Sequence, residues 1–290
     1  MTRFSPRLLL VLSLVAALLT MSLKTLAWYL TGSVGYLSDA LESVVNLTGA
    51  IFALVMVTIA QRPADDSHPY GHSKAEYLSA AFEGGMIFLA AIAIFIAATD
   101  RLLNPQPLVT LGTGTALTIL ASLINLWMAR LLLTGSKIHR SPALEGDGKH
   151  LMTDVWTTAG IVAGVLLAAA TGHYWLDPLV AIAVALHILY EGSRLLYRSV
   201  NGLLDPALPA DTISLIEHTL SQYRQEGVIF TNLRTRSAAT MQFAHVDLNV
   251  PGYWTVAHAH QLADEAEQAL AQQGIQLTTH IEPLPPVQAD

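Results

Sequence analysis

The chain has 290 residues, of which 52% are hydrophobic and only 13% charged, with no cysteine and a mean hydropathy of +0.45. Soluble proteins carry about 25% charged residues. This composition therefore excludes a disordered chain, a nucleic-acid binder and an ordinary cytosolic enzyme, and it calls for lipid around the protein. The lack of cysteine removes disulfide frameworks, thiolate zinc sites and cysteine nucleophiles together. The net charge of −7 is uneven: from Pro206 onward three Lys/Arg stand against nine Asp/Glu, whereas the first 205 residues hold twelve against thirteen. The split predicts a neutral membrane domain over residues 1–205 and a small acidic soluble domain over 206–290.

A helix needs about 20 mostly apolar residues to cross a bilayer. Six segments meet or approach that length: Leu8–Leu30, Val34–Ala60, Leu78–Leu102, Leu108–Leu133, His150–Ala170 and Leu176–Tyr197. The first follows Arg3 and Arg7, as a signal peptide would, but no A-x-A-like cleavage site comes after it and a second apolar run begins within a few residues; it reads as a membrane helix. Basic residues then set the orientation. Arg3, Arg7, Arg62, Lys74, Lys137, Arg140, Lys149, Arg194 and Arg198 fall on one side and Arg101 on the other, so both termini are expected in the cytoplasm after six crossings.

Beyond Asp205 the pattern changes. Leu208-Pro209-Ala210-Asp211 starts a helix whose apolar spacing runs to Tyr223, and Gly227 ends it. Strands are expected at Val228–Arg236 and Met241–Val250, with a turn at Pro251-Gly252. A helix at about Thr255–Gln273 and a strand at Ile275–Glu282 complete the order α-β-β-α-β, a small α+β domain.

Ionisable groups within membrane helices are costly and face the protein interior or a water-filled path. Helix two carries Asp39, Glu42 and Asn46, and helix five is expected to begin with His150, followed by Asp154. Glu42 and Asn46 are four apart, as are His150 and Asp154, so each pair projects from one helix face. Two such pairs on facing helices supply four N/O donors, the number a tetrahedral Zn²⁺ site uses, and Fe²⁺, Co²⁺ or Mn²⁺ can be held by the same donors. Read singly, His150 is an interfacial residue, Asp39 a cap or brace and Asn46 an inter-helix hydrogen-bonding group. Lys24, Glu83, Asp100 and Glu191 each lack a partner at ligand spacing and read as packing, interfacial or snorkelling groups.

The loop after helix two holds Asp65, His68 and His72, with Pro69 and Gly71 permitting a bend that could bring them onto one cation. The soluble domain holds His245 on a strand, His258 and His260 on a helix, and His280 and Glu282 on one face of the last strand. Since His258 and His260 differ by about 200° around a helix, only one of them can face a shared site.

The stretch PADDSHPYGHSKAE at Pro63–Glu76, followed by His150-x₃-Asp154 and Leu203-Leu204-Asp205, resembles the cation diffusion facilitators over about residues 8–285. The resemblance implies a six-helix metal/proton antiporter, all-α in the membrane, with a cytoplasmic α+β domain of metallochaperone-like fold, acting as a homodimer and not as an enzyme. It places the transport site on Glu42, Asn46, His150 and Asp154, with Asp39 one turn too early, and the loop site on Asp65, His68 and His72. It places cytoplasmic sites on His245, His260, His280 and Glu282, and a charge interlock on Lys74 and Asp205. The substrates implied are Zn²⁺ first, Fe²⁺ next, with Co²⁺, Ni²⁺, Cd²⁺ and Mn²⁺ open, exchanged for protons across a bacterial-type inner (plasma) membrane; no nucleic acid is involved. Two departures stand out. The helix-two pair in this family is usually two carboxylates, or histidine and aspartate, and here the second member is the neutral Asn46. Thr231 stands where some zinc-transporting relatives have a further histidine, which implies a weak or absent cytoplasmic ion. Readings of another class are an intramembrane metallohydrolase, for which no H-E-x-x-H or serine–histidine arrangement is seen, and a metal-sensing scaffold without transport.

Overall fold

A computed structural model describes residues 4–31, 34–104, 112–173, 175–224 and 227–284. The chain divides into two compact units, residues 1–200 and 201–290.

The first unit is helical: α1 (Pro6–Thr31), α2 (Val34–Ala60), α3 (Ala75–Leu103), α4 (Thr113–His139), α5 (Pro142–Thr171) and α6 (Leu176–Leu203), which runs past the unit's end. Each has 26 to 30 residues, about 40 Å at 1.5 Å per residue, against a hydrocarbon core of about 30 Å. Among the described residues four of the six, α1, α3, α4 and α6, are long and apolar enough to cross a membrane by length and composition. In α2 the apolar described stretch is the shorter Asn46–Ala60, and α5 opens on Glu145, Asp147 and Lys149.

Helix five corrects the sequence reading. It begins at Pro142, eight residues before His150, so His150 lies more than two turns inside the helix. Ser141 Oγ accepts from Leu144 N–H at 3.3 Å, a side-chain cap, and proline in the first helical position has its φ already set. Counting apolar residues misses this start because the opening turns are charged. Their partners are in the protein: Lys149 Nζ reaches Glu145 Oε1 at 3.5 Å and Glu191 Oε2 at 3.0 Å. Ser141 also donates to buried Glu76 on α3. Helix four likewise runs from Thr113 to His139, past the expected end at Leu133, and closes on Lys137 and His139, cations that suit a helix C-terminus; the expected start at 108–111 lies outside the described residues.

The helical unit exposes large apolar side chains and buries several polar and charged ones. Val15, Leu19, Leu89, Ile96, Leu123, Trp127 and Leu186 are exposed, while Lys24, Asn46, Glu83, Asn125, Asp147, His150 and Asp154 are buried. One apolar cluster joins Leu9, Leu10, Ala53, Val57, Met128, Leu132 and Leu144; another joins Ile87 and Ala91 of α3 to Ile188 and Leu195 of α6. The α3–α6 contact depends on glycine. A Cβ on Gly84 would meet Leu196 N at 2.8 Å, and one on Gly192 would meet Ile87 Cγ2 at 2.9 Å and Phe88 N at 3.0 Å. Small residues at helix crossings let backbones approach closely in membrane proteins.

The second unit has the expected order: α7 (Ala210–Ser221), β1 (Ile229–Ala238), β2 (Met241–Val250), α8 (Val256–Ala271) and β3 (Ile275–Pro283). The sheet order is β1-β2-β3, with β1 antiparallel and β3 parallel to β2, and α8 is the crossover that a parallel pair requires. Alternate residues of β2, Ala244, Val246, Leu248 and Val250, are buried in one core with Ala259, Leu262, Ala263, Ala266 and Leu270 of α8. The register shifts between Thr231 and Arg234, a bulge beside the position singled out in the sequence.

Candidate metal centre

Three of the four expected transport-site residues meet inside the helical unit. Asn46 of α2 faces α5: its Oδ1 stands 2.5 Å from His150 Nε2, and its Nδ2 donates to Asp154 Oδ2 at 2.6 Å. Asn46, His150 and Asp154 are all buried. The i, i+4 spacing on α5 aligns His150 above Asp154, and Asn46 bridges them from the neighbouring helix. Thr157 and Thr158 hydroxyls donate to the Asp154 carbonyl at 2.9 Å each. The side chains of Asp39 and Glu42 lie outside the described residues; Glu42 stands one turn before Asn46 on α2.

Two residues that the sequence leaves as isolated packing groups belong to this cluster, which corrects that reading. Lys24 of α1 brings its Nζ to 3.4 Å from Asp154 Oδ2. Glu83 of α3 brings Oε2 to 2.6 Å from His150 Nδ1. Asn125 of α4, which the sequence reading passes over, donates to Asp154 Oδ2 at 3.1 Å. Buried Asp147 lies three residues before His150. Spacing within one helix cannot find these groups, because each has its partner on another helix. The signal available is cost: an ionisable side chain within a membrane helix is a functional hypothesis by default. The other two isolated groups are also partnered, Glu191 by Lys149 and Asp100 by Asn104 Nδ2 at 2.9 Å.

The loop residues converge as their spacing allows. Asp65, His68 and His72 offer three ligand atoms within 4.8 Å of one another. Asp65 Oδ1 accepts from the N–H groups of Ser67 at 3.0 Å and His68 at 2.7 Å. Gly71 then takes φ +80°, a left-handed conformation that suits glycine, and the chain turns back so that the two imidazoles lie 4.5 Å apart, centre to centre. The Asp65 carboxyl is held below its ordinary 3.8, mainly by the His68 N–H, against a smaller opposing effect of desolvation. A carboxylate fixed in its charged form beside two imidazoles is a fitting donor set for a divalent transition metal.

In the second unit the expected residues fall on two sides of the sheet. The buried alternate of β2 packs with α8, so His245, Asp247 and Asn249 occupy the other face. Asp247 pairs in register with His280, and Asn249 with Glu282. His245 Nε2 lies 3.7 Å from Asp247 Oδ1 and His280 Nε2 lies 2.9 Å from Glu282 Oε1. His260 is on α8, 3.7 Å from Asp264, and so stands with the helical layer, apart from the other three. His258 packs against the Trp254 ring, 4.1 Å between centres. Thr231 Oγ1 accepts from Asn249 Nδ2 at 2.7 Å. Asp205 Oδ1 lies 3.4 Å from Arg236 Nη1 within this unit; Lys74 is in the helical unit just before α3.

Known protein families match the chain over both units. The model of the cation efflux transmembrane domain matches residues 10–204, and that of the cation efflux protein cytoplasmic domain matches residues 208–284. An uncharacterized transporter of Synechocystis sp., sll1263, is 46% identical over 94% of this chain and 89% of its own length. The cation-efflux pump FieF of Escherichia fergusonii is 31% identical over 88% of this chain and 84% of its own. A solved chain of CzrB, described as a candidate zinc transporter, is 36% identical over 27% of this chain and 99% of that one, with a TM-score of 0.26. The chain belongs to the cation diffusion facilitator family of membrane cation-efflux transporters, which are not enzymes.

Proposed function

We propose that this protein exports a divalent transition metal from the cytoplasm in exchange for protons, with Zn²⁺ as the first substrate and Fe²⁺ the next, through a site made by Asn46, His150 and Asp154 together with Glu42. The observation that carries the reading is the contact of Asn46 with both His150 and Asp154, which gathers nitrogen and oxygen donors from two helices within the apolar shell. Metal ligands must be unprotonated, so a metal requires neutral imidazole and ionised carboxylate, and protons arriving at the same groups displace it. Free histidine changes charge near pH 6.5, which lets one site alternate between metal and proton in the physiological range. Alternating access then needs six crossings that rock about this site, with both termini in the cytoplasm of a bacterial-type inner membrane.

The remaining residues take supporting parts in this reading. Asp65, His68 and His72 hold a second ion in the loop. The second unit, of metallochaperone-like fold, dimerises and binds metal through His245, His260, His280 and Glu282. Because His260 stands apart from the other three, a second copy of the chain is the natural source of missing donors. Lys74 and Asp205 tie the membrane halves together at their cytoplasmic edge. The testing experiment is ion uptake into proteoliposomes under an imposed pH gradient, screening Zn²⁺, Fe²⁺, Co²⁺, Ni²⁺, Cd²⁺ and Mn²⁺. Saturable uptake of one ion that follows the gradient supports the reading, and no uptake of any ion overturns it.

A further inference from the structure

We infer that Glu83 is an unassigned working carboxylate of the transport centre, supplying through His150 a negative charge that the neutral Asn46 does not provide. The inference rests on the transport reading of Asn46, His150 and Asp154.

Three observations carry it. First, Glu83 is 1% exposed, and neither of its carboxylate oxygens has an aligned hydrogen-bond donor, nor does His150 Nδ1 have an aligned partner. A buried carboxylate without donors is costly, and that imidazole edge lies against it, at 2.6 Å. Second, the surroundings are shaped to admit it. A Cβ on Gly49 of α2 would collide with Glu83 Oε1, and one on Gly146 of α5 would meet Glu83 Cβ at 3.2 Å. Two glycines on two different helices thus leave the space that the Glu83 side chain fills.

Third, the charge count of the proposed site has a place for it. A divalent ion on Nε2 would meet neutral Asn46 Oδ1 and an Asp154 carboxylate already shared with the Lys24 ammonium. Glu42, the remaining member of the proposed site, then supplies one negative charge against the ion's two. Glu83, buried behind His150 in the same helix cluster, adds a second, which matches the two charges of one divalent cation. A carboxylate behind a metal-binding imidazole raises the basicity of its other nitrogen and fixes the ring orientation. Glu83 holds that place, on Nδ1, while Nε2 faces Asn46.

The experiment measures Zn²⁺ uptake by proteoliposomes and Zn²⁺ affinity by calorimetry on the full chain in detergent. It uses wild type, Glu83→Gln, Glu83→Asp, the double variant Glu83→Gln/Asn46→Asp, and Asp154→Ala. Loss of a carboxylate behind a metal-binding histidine costs about 10- to 100-fold in affinity. Glu83→Gln is expected to raise KM and weaken affinity by that factor, with kcat changed less. Glu83→Asp recovers part of the loss, and Asn46→Asp in the Glu83→Gln background recovers most of it by returning the charge on the neighbouring helix. If Glu83→Gln folds and leaves KM and affinity within about twofold of wild type, the assignment to Glu83 is overturned. It is overturned too if the double variant folds and shows no recovery. Should Glu83→Gln fail to fold, Gly49→Ala displaces the carboxylate without removing its charge and should raise KM; an unchanged KM there also overturns the assignment. When Asp154→Ala abolishes uptake and Glu83→Gln does not alter KM, the transport reading stands and only Glu83 falls. When wild type moves no ion, the transport reading itself has failed, and calorimetry alone decides whether Glu83 serves a Zn²⁺ site.

Discussion

The Lys24 ammonium lies 3.4 Å from Asp154 Oδ2, and both side chains are only 3% exposed. The pair joins α1 to the carboxylate that the proposed transport site offers to a metal. Removing one partner of a buried ion pair leaves an uncompensated charge, which costs about 3–5 kcal/mol. Lys24→Met is therefore expected to lower the melting temperature of the metal-free protein in detergent. A cation at the site takes over the ammonium's role, so added Zn²⁺ should raise that temperature more in the variant than in wild type. Thermal unfolding with and without Zn²⁺ checks both statements.

Helices α3 and α6 approach at Gly84 and Gly192 with no room for a Cβ. Overpacking of this kind costs about 1–3 kcal/mol. Gly192→Ala should destabilise by that amount, since part of what it meets is Phe88 backbone that cannot rotate away. Gly85→Ala, where nothing lies within 4 Å of the added carbon, should be neutral in the same melting experiment.

The loop site has a definite pH behaviour. Asp65 has its pKa lowered from 3.8, so what its charge lends to the loop is fully present above 3.8 and is lost only as pH falls through the lowered value. From pH 7 to pH 5 the carboxylate therefore keeps its charge. Asp65→Asn is accordingly expected to weaken metal binding to the full chain at pH 7 and at pH 5 alike, as read by calorimetry. Undiminished binding by the variant at both pH values contradicts the proposed loop site.

Much of the second unit is legible in the sequence, because each element there carries its own signal. The alternation of Met241–Val250 coincides with β2 to the residue, and Gly274 marks the stop between α8 and β3. Its core is correspondingly concentrated: Leu248 is fully buried, and Leu248→Ala should cost about 2–5 kcal/mol, read as loss of the folded second unit on melting. The pairing of His150 with Asp154 is legible too, since one helix supplies both. The lining of the site is not. Lys24, Glu83 and Asn125 sit on α1, α3 and α4, and only packing brings them to α5. The start of α5 is hidden for the same reason: Glu145 and Lys149 are tolerated there because their partners, Arg198 and Glu191, come from α6.

The central claim is that Asp154 and His150 carry metal one way and protons the other. The direct measurement is proton movement driven by Zn²⁺, followed with a pH-sensitive dye sealed inside proteoliposomes, for wild type, His150→Ala and Asp154→Ala. Wild type should move protons against the direction of Zn²⁺ in proportion to the zinc transported, and both variants should lose that flux. Zinc-driven proton flux of undiminished rate in Asp154→Ala would contradict it.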